Sequence, residues 1–150
     1  MNKKEFLGAS LHTGLKFDIK SDLYPYPALV GIRKDYLEFN YCGVYLSFQK
    51  DFVGVPIVRP LSDLTKPITH NCETFVPIAR LFKMPDSEVD IVSASEECVQ
   101  FINKRTRCHY SFYVATIRLT EALKLIEWHF NLMDESEPFI PVTDEFNPYK

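Results

Sequence analysis

Glycine is scarce in this chain. Its 150 residues include five, Gly8, Gly14, Gly31, Gly43 and Gly54, each six or more positions from the next. A phosphate cradle needs glycines close together so that backbone N–H groups can approach the anion. Neither a Walker loop nor a dinucleotide-binding turn can be built here. The Gly-x-Ser-x-Gly elbow that exposes a hydrolase nucleophile is also missing. Among Cys42, Cys72, Cys98 and Cys108 no pair has Cys-x-x-Cys spacing, which excludes a local redox pair or zinc knuckle. No stretch approaches the roughly 18 apolar residues of a membrane span. Lys3 and Lys4 precede an apolar patch, but Glu5 and His12 interrupt it, and it is shorter than the about 7–15 residues of a secretion signal's core. The expected location is the cytoplasm, with four reduced thiols serving mostly as small packing residues. Net charge is only −3, which argues against a protein held on nucleic acid by bulk charge.

What is present is apolar and ring-rich. Hydrophobic residues make up 46% of the chain, and twelve phenylalanines and eight tyrosines are more rings than one small core comfortably hides. From Leu15 to Pro60 they fall in short alternating runs: Leu15, Phe17 and Ile19, then Leu29 to Ile32, Tyr36 to Phe39, and Val44, Leu46 and Phe48. Period-two alternation predicts an antiparallel meander of half-buried strands. Arg33-Lys34-Asp35 and Asn40-Tyr41-Cys42-Gly43 supply its turns. Prolines at 56, 60, 67, 77 and 85 exclude a long helix between them. A small hairpin is expected around His70-Asn71-Cys72-Glu73, and a helical turn or two from Pro77 to Lys83. Strands are expected at Val89 to Ala94, Val99 to Ile102 and Cys108 to Ala115. A helix is expected over about 120–132, capped by Thr120, with Leu123, Ile126, Phe130 and Met133 as its buried stripe and Trp128 at the rim.

The expected fold is therefore α+β: a mostly antiparallel sheet packed on that C-terminal amphipathic helix. Residues 1–133 are expected to form one domain. Residues 134–150 are expected to form an extended tail, which Asp134, Glu135, Glu137, Asp144 and Glu145 share with Pro138, Pro141 and Pro148.

Chemistry-bearing clusters are few. His70 with Cys72 and Cys108 with His109 carry soft ligand atoms, but adjacent residues on a strand face opposite ways, so a tetrahedral zinc site is not expected. Asp86, Glu88 and Asp90 lack the calcium-loop pattern and are expected as a hydrated loop. Lys104, Arg105 and Arg107 lie near Tyr113, and cations beside rings are the recipe for single-strand binding. No catalytic, cofactor or metal residue is assigned, although a hydrolase site gathered from His12, His70 or His109 beside a carboxylate is not encoded locally and would be invisible at this level.

The run Arg59-Pro60-Leu61-Ser62-Asp63-Leu64-Thr65-Lys66 resembles one in small uncharacterised proteins encoded by prophages and mobile elements of anaerobic gut bacteria. Phe75-Val76-Pro77-Ile78, Glu127-Trp128-His129-Phe130, Asn147-Pro148-Tyr149-Lys150 and the early Leu7-Gly8 and Leu11-His12-Thr13-Gly14-Leu15-Lys16 resemble the same group, in the same order. The chain departs from that pattern at Cys72, where a glycine is expected. The resemblance implies genomic context and no reaction, cofactor or catalytic residue. The leading expectation is a non-enzymatic accessory protein that binds a protein partner or itself, without membrane insertion. The alternative is a single-stranded nucleic-acid accessory factor using Lys104, Arg105, Arg107 and Tyr113.

Overall fold

The computed structural model describes residues 1–49, 51, 54–134 and 136–150. In chain order its helices are α1 (Lys3–Ala9), α2 (Pro77–Leu81) and α3 (Leu119–Glu127). The strands are β1 (Phe17–Asp18), β2 (Ala28–Ile32), β3 (Tyr36–Tyr41), β4 (Val44–Gln49), β5 (Val55–Val58), β6 (Ile68–His70), β7 (Glu73–Phe75), β8 (Val89–Ala94), β9 (Cys98–Asn103), β10 (His109–Tyr113) and β11 (Ile140–Pro141). The class is α+β with mostly antiparallel strands. They are divided among four small sheets where one sheet was expected. The chain forms two compact units, one of Met1–Arg59 with Leu125–Pro148, the other of Pro60–Lys124 with Tyr149–Lys150.

In the first unit, α1 starts from a reciprocal cap. The Asn2 side chain accepts from the Glu5 N–H (2.9 Å), and the Glu5 carboxylate accepts from the Asn2 N–H (3.1 Å). The helix buries Phe6 and Leu7. The meander β2–β3–β4 follows the alternation of its sequence. Leu37 and Phe39 are buried while Tyr36 is exposed, because successive side chains point to opposite faces. Cys42 and Gly43 both take positive φ (48° and 86°), so β3 and β4 are joined by a two-residue type I′ turn whose twist matches the strands. In the neighbouring sheet β5 runs antiparallel to β1 and parallel to β11. Ile140 and Pro141 thereby pair with Ile57 and Val58, which places part of the expected tail in a sheet. One apolar cluster joins Phe6, Leu15, Phe17, Leu29, Leu37, Phe39, Val58, Ile126 and Met133.

Helix α3 differs from its expected form in three ways. It begins at Leu119, so Thr120 is inside it rather than at its cap. Glu121 accepts from the Arg118 N–H at 3.1 Å, reaching back as the third residue of a capping box does. It also ends early. His129 takes φ 62°, its N–H donates to the Ile126 carbonyl and the Phe130 N–H donates to the Leu125 carbonyl (both 2.9 Å). This is a Schellman stop with histidine where glycine is usual, and it turns Phe130 and Met133 out of helical register. Within the helix the buried residues are therefore Ala122, Leu125 and Ile126, while Leu123 is 47% exposed; Phe130 and Met133 are buried as expected, but from the segment beyond the helix. Trp128, expected at a rim, is buried.

The second unit carries β6–β7 and the sheet β8–β9–β10. A left-handed residue stops α2 as well. Lys83 (φ 55°) donates to Arg80 and Met84 donates to Ala79, repeating the Schellman pattern. Phe82 then packs edge-on against Phe101, Tyr110 and Phe112, while Phe101 and Tyr110 stack at 5.2 Å. Most rings are therefore absorbed by packing within the two units.

The helix face is checked by truncation. Leu125→Ala should cost about 2–5 kcal/mol, as for a fully buried leucine, and Leu123→Ala within about 0.5 kcal/mol. The measurement is urea unfolding of each variant. Lys83→Gly should raise stability by about 0.5–1 kcal/mol, because it relieves an exposed left-handed side chain; a lowered thermal midpoint contradicts that assignment.

Candidate interaction surface

The β9–β10 hairpin carries the cations singled out in the sequence, and Asn103 organises its tip. This 95%-buried side chain accepts from the Arg105 N–H (2.9 Å) and the Thr106 N–H (3.0 Å). Arg107 closes the turn at φ 58° and donates to the Asn103 carbonyl at 2.7 Å. Lys104, Arg105 and Arg107 are all exposed there. However, Arg105 is ion-paired with Glu88 (3.1 Å), which also accepts from the Asn103 amide (3.3 Å). Tyr113 pairs with Cys98 at the other end of the strands. Tyr113 lies four positions along the strand from His109, about 14 Å at about 3.4 Å per residue. Its neighbouring turn carries exposed Glu96 and Glu97. The fold brings the three cations together and leaves the ring at an acidic end, half exposed (51%). The run Asn103-Lys104-Arg105-Thr106-Arg107 reads in sequence as a solvated turn; what the sequence does not mark is Asn103 as the residue that holds the tip.

The other clusters serve as architecture. Asp86 accepts from the Val76 N–H at 3.0 Å, and Glu88 holds the hairpin tip as described. At the β6–β7 turn Asn71 and Cys72 both take positive φ (49° and 65°), so Cys72 fills a position glycine usually occupies. Glu73 beside it receives both guanidinium nitrogens of Arg80 (Nη1 at 2.9 Å), and Arg80 lies 3.7 Å above the Phe75 ring. Among the described residues, no three His, Cys, Asp or Glu side chains gather as a metal-holding group. The cysteine expectation is corrected: Cys42, Cys72 and Cys108 are exposed and Cys98 half-buried, because three of them occupy turns rather than strand interiors.

Strand β4 presents a different kind of surface. The Cys42–Gly43 turn makes Tyr41 and Val44 a hydrogen-bonded pair. Leu46 and Phe48 therefore direct their main-chain groups toward β3, and Tyr45, Ser47 and Gln49 direct theirs to the open side. Side chains follow the same parity. Leu46 and Phe48 pack against the apolar cluster, half-buried, while Tyr45 stands 77% exposed on the other face. No bulge interrupts the β3–β4 register, and Val44–Gln49 carries no charged residue. Beyond its end, an open depression of about 470 Å³ is lined by Lys34, Asp35, Tyr36, Gln49 and Asp51.

No family model, curated protein or solved structure matches the chain.

The Glu73–Arg80 pair gives a pH dependence whose sign is fixed. Hydrogen bonding from Arg80 holds the Glu73 carboxyl below the usual glutamate range. A lowered folded-state value contributes stability that is fully present above the unfolded-state pKa, about 4.3, and is lost as pH falls through the folded value. Glu73→Gln should therefore flatten the acid limb of the stability profile and leave the slope near neutrality unchanged. Thermal midpoints collected across an acid series check it; an identical acid slope in both proteins contradicts it.

Proposed function

We propose that this chain is a small non-enzymatic accessory protein that binds another protein or itself, and that β4 is the surface it uses. One observation carries this reading: β4 is a charge-free, bulge-free strand whose main-chain edge is open among the described residues, with Val44 (43%) and Tyr45 exposed. Sheet edges are ordinarily blunted by lysine, proline or a bulge, since an unpaired row of N–H and C=O groups is a template for another strand. Among the described residues no helix is long and apolar enough to cross a membrane, and a cytoplasmic place in a prophage or mobile element accords with the resemblance noted in the sequence. The expected sheet-on-helix packing and extended acidic tail form part of this same reading. Ile126 supports the first by joining the apolar cluster of the meander.

Light scattering after size exclusion, combined with affinity capture from host lysate, tests the interaction reading. The wild type should associate with itself or retain a partner, and Tyr45→Lys should lose at least half of that material. A strict monomer that retains nothing overturns it.

A second reading rests on the exposed Lys104 and Arg107 at the hairpin tip: the chain is then a single-stranded nucleic-acid accessory factor, with Tyr113 as the ring. It expects retention on immobilised single strands that falls steeply with salt and disappears when Lys104, Arg105 and Arg107 are all replaced by Glu. Absence of retention at low salt dismisses it.

A further inference from the structure

We infer that two copies of this chain pair antiparallel through β4, about a two-fold axis at Leu46. The inference rests on the interaction reading above and commits it to one occupant, a second copy.

Three features select that occupant. First, the strand is self-complementary in charge, since Val44–Gln49 contains no ionisable carboxylate, amine or guanidinium to oppose its own copy. The other outer strands of the two three-stranded antiparallel sheets, β8, β2 and β10, are less suited. Strand β8 carries Asp90 and a register shift between Ile91 and Ser93. Beside β2, the Leu29 N–H is already given to the Leu15 carbonyl (2.8 Å), and Ala28 bridges Lys16. Strand β10 is entered from Arg107 and starts at His109. Second, the open side of β4 offers Tyr45 and Ser47 main-chain groups in the alternation an antiparallel partner needs. Pairing Tyr45 with Ser47 of the second copy, twice by symmetry, forms four main-chain hydrogen bonds. Third, an axis perpendicular to the sheet keeps the apolar faces on one side, so residues of like parity must meet. An axis at Leu46 sets Leu46 against Leu46 of the second copy and Val44 against Phe48 of the second copy. The half-buried Leu46 and Phe48, which pack against the unit's apolar cluster, then extend it across the axis. An axis at Ser47 also satisfies parity, but it sets no residue of β4 opposite Val44.

A five-residue edge buries little area by the standard of stable dimers, so the association should depend on concentration. Charge placed on the outward positions reads both the surface and the register. Tyr45→Lys with Ser47→Lys opposes lysine to lysine at two symmetric places, and should raise the dimer dissociation constant more than about tenfold. Tyr45→Lys with Ser47→Glu opposes lysine to glutamate at the same places, and should stay within about threefold of wild type. Sedimentation equilibrium of the full chain over a concentration series, under reducing conditions, measures all three. Far-UV circular dichroism confirms that each is folded, and the reversed pair, Tyr45→Glu with Ser47→Lys, replaces any variant that is not. A dimer indifferent to the double lysine overturns the pairing. A dimer abolished equally by both variants overturns the axis at Leu46, because an axis at Ser47 opposes like charges in each. A wild type that stays monomeric also overturns the inference; capture of a different partner, lost in Tyr45→Lys, then leaves the interaction reading standing without it.

Discussion

The two-residue turn at Cys42–Gly43 sets the parity on which the account of β4 depends. With both residues at positive φ, Tyr41 and Val44 become the closing pair, and every later residue of β4 inherits its direction. A slip by one position exchanges the faces: Tyr45 and Ser47 would enter the core and Leu46 and Phe48 would meet water. Burial of Leu37 and Phe39 on the facing strand resists that slip, since their partners in register are Phe48 and Leu46. Local backbone chemistry and long-range packing thus specify the same register. What they leave over is an edge whose main chain, among the described residues, has a partner on one side.

Left-handed backbone at non-glycine residues recurs through the molecule. His129 and Lys83 each stop a helix, Asn71 and Cys72 close β6–β7, and Arg107 closes β9–β10. The side chains in these places differ in what offsets the strain. The His129 ring is buried and its Nε2 lies 2.9 Å from the Thr13 carbonyl, so replacing it by glycine removes packing as well as strain. Lys83 is exposed, and the structure gives its side chain no such contact. Arg59 shows a related economy: 97% buried, it donates from Nε to the Trp128 carbonyl at 3.2 Å, and its own main chain bonds to His129 and Asn131. A single arginine thereby fastens the segment that the His129 stop has redirected.

Much of the strand arrangement was legible because it is written in short-range terms. Strand β8 coincides with the alternation over Val89 to Ala94, and β2 to β4 lie where Leu29 to Phe48 alternate. The turn at Asn40 to Gly43 carried its own glycine. Helix α3 was legible at its centre and not at its ends. The spacing of Leu123, Ile126, Phe130 and Met133 mimics a stripe, and only the tertiary setting of His129 breaks it after Glu127. Histidine is not a helix-stop signal in sequence, so the pattern favours Leu123 over Leu125. The division into four sheets and two units was illegible for a different reason, since it depends on pairings such as β5 with β11 that are distant in the chain. The candidate cations are legible in the sequence and their separation from Tyr113 is not. Proximity in sequence says nothing of which end of a hairpin a residue occupies until the register is known.

Amide exchange along β4 measures the central claim most directly. The account predicts that Leu46 and Phe48, bonded to β3, exchange slowly at every protein concentration, whereas Tyr45 and Ser47 pass from fast to slow exchange as concentration rises. Tyr45 and Ser47 amides that exchange fast throughout, or a Leu46 amide faster than both, would contradict it.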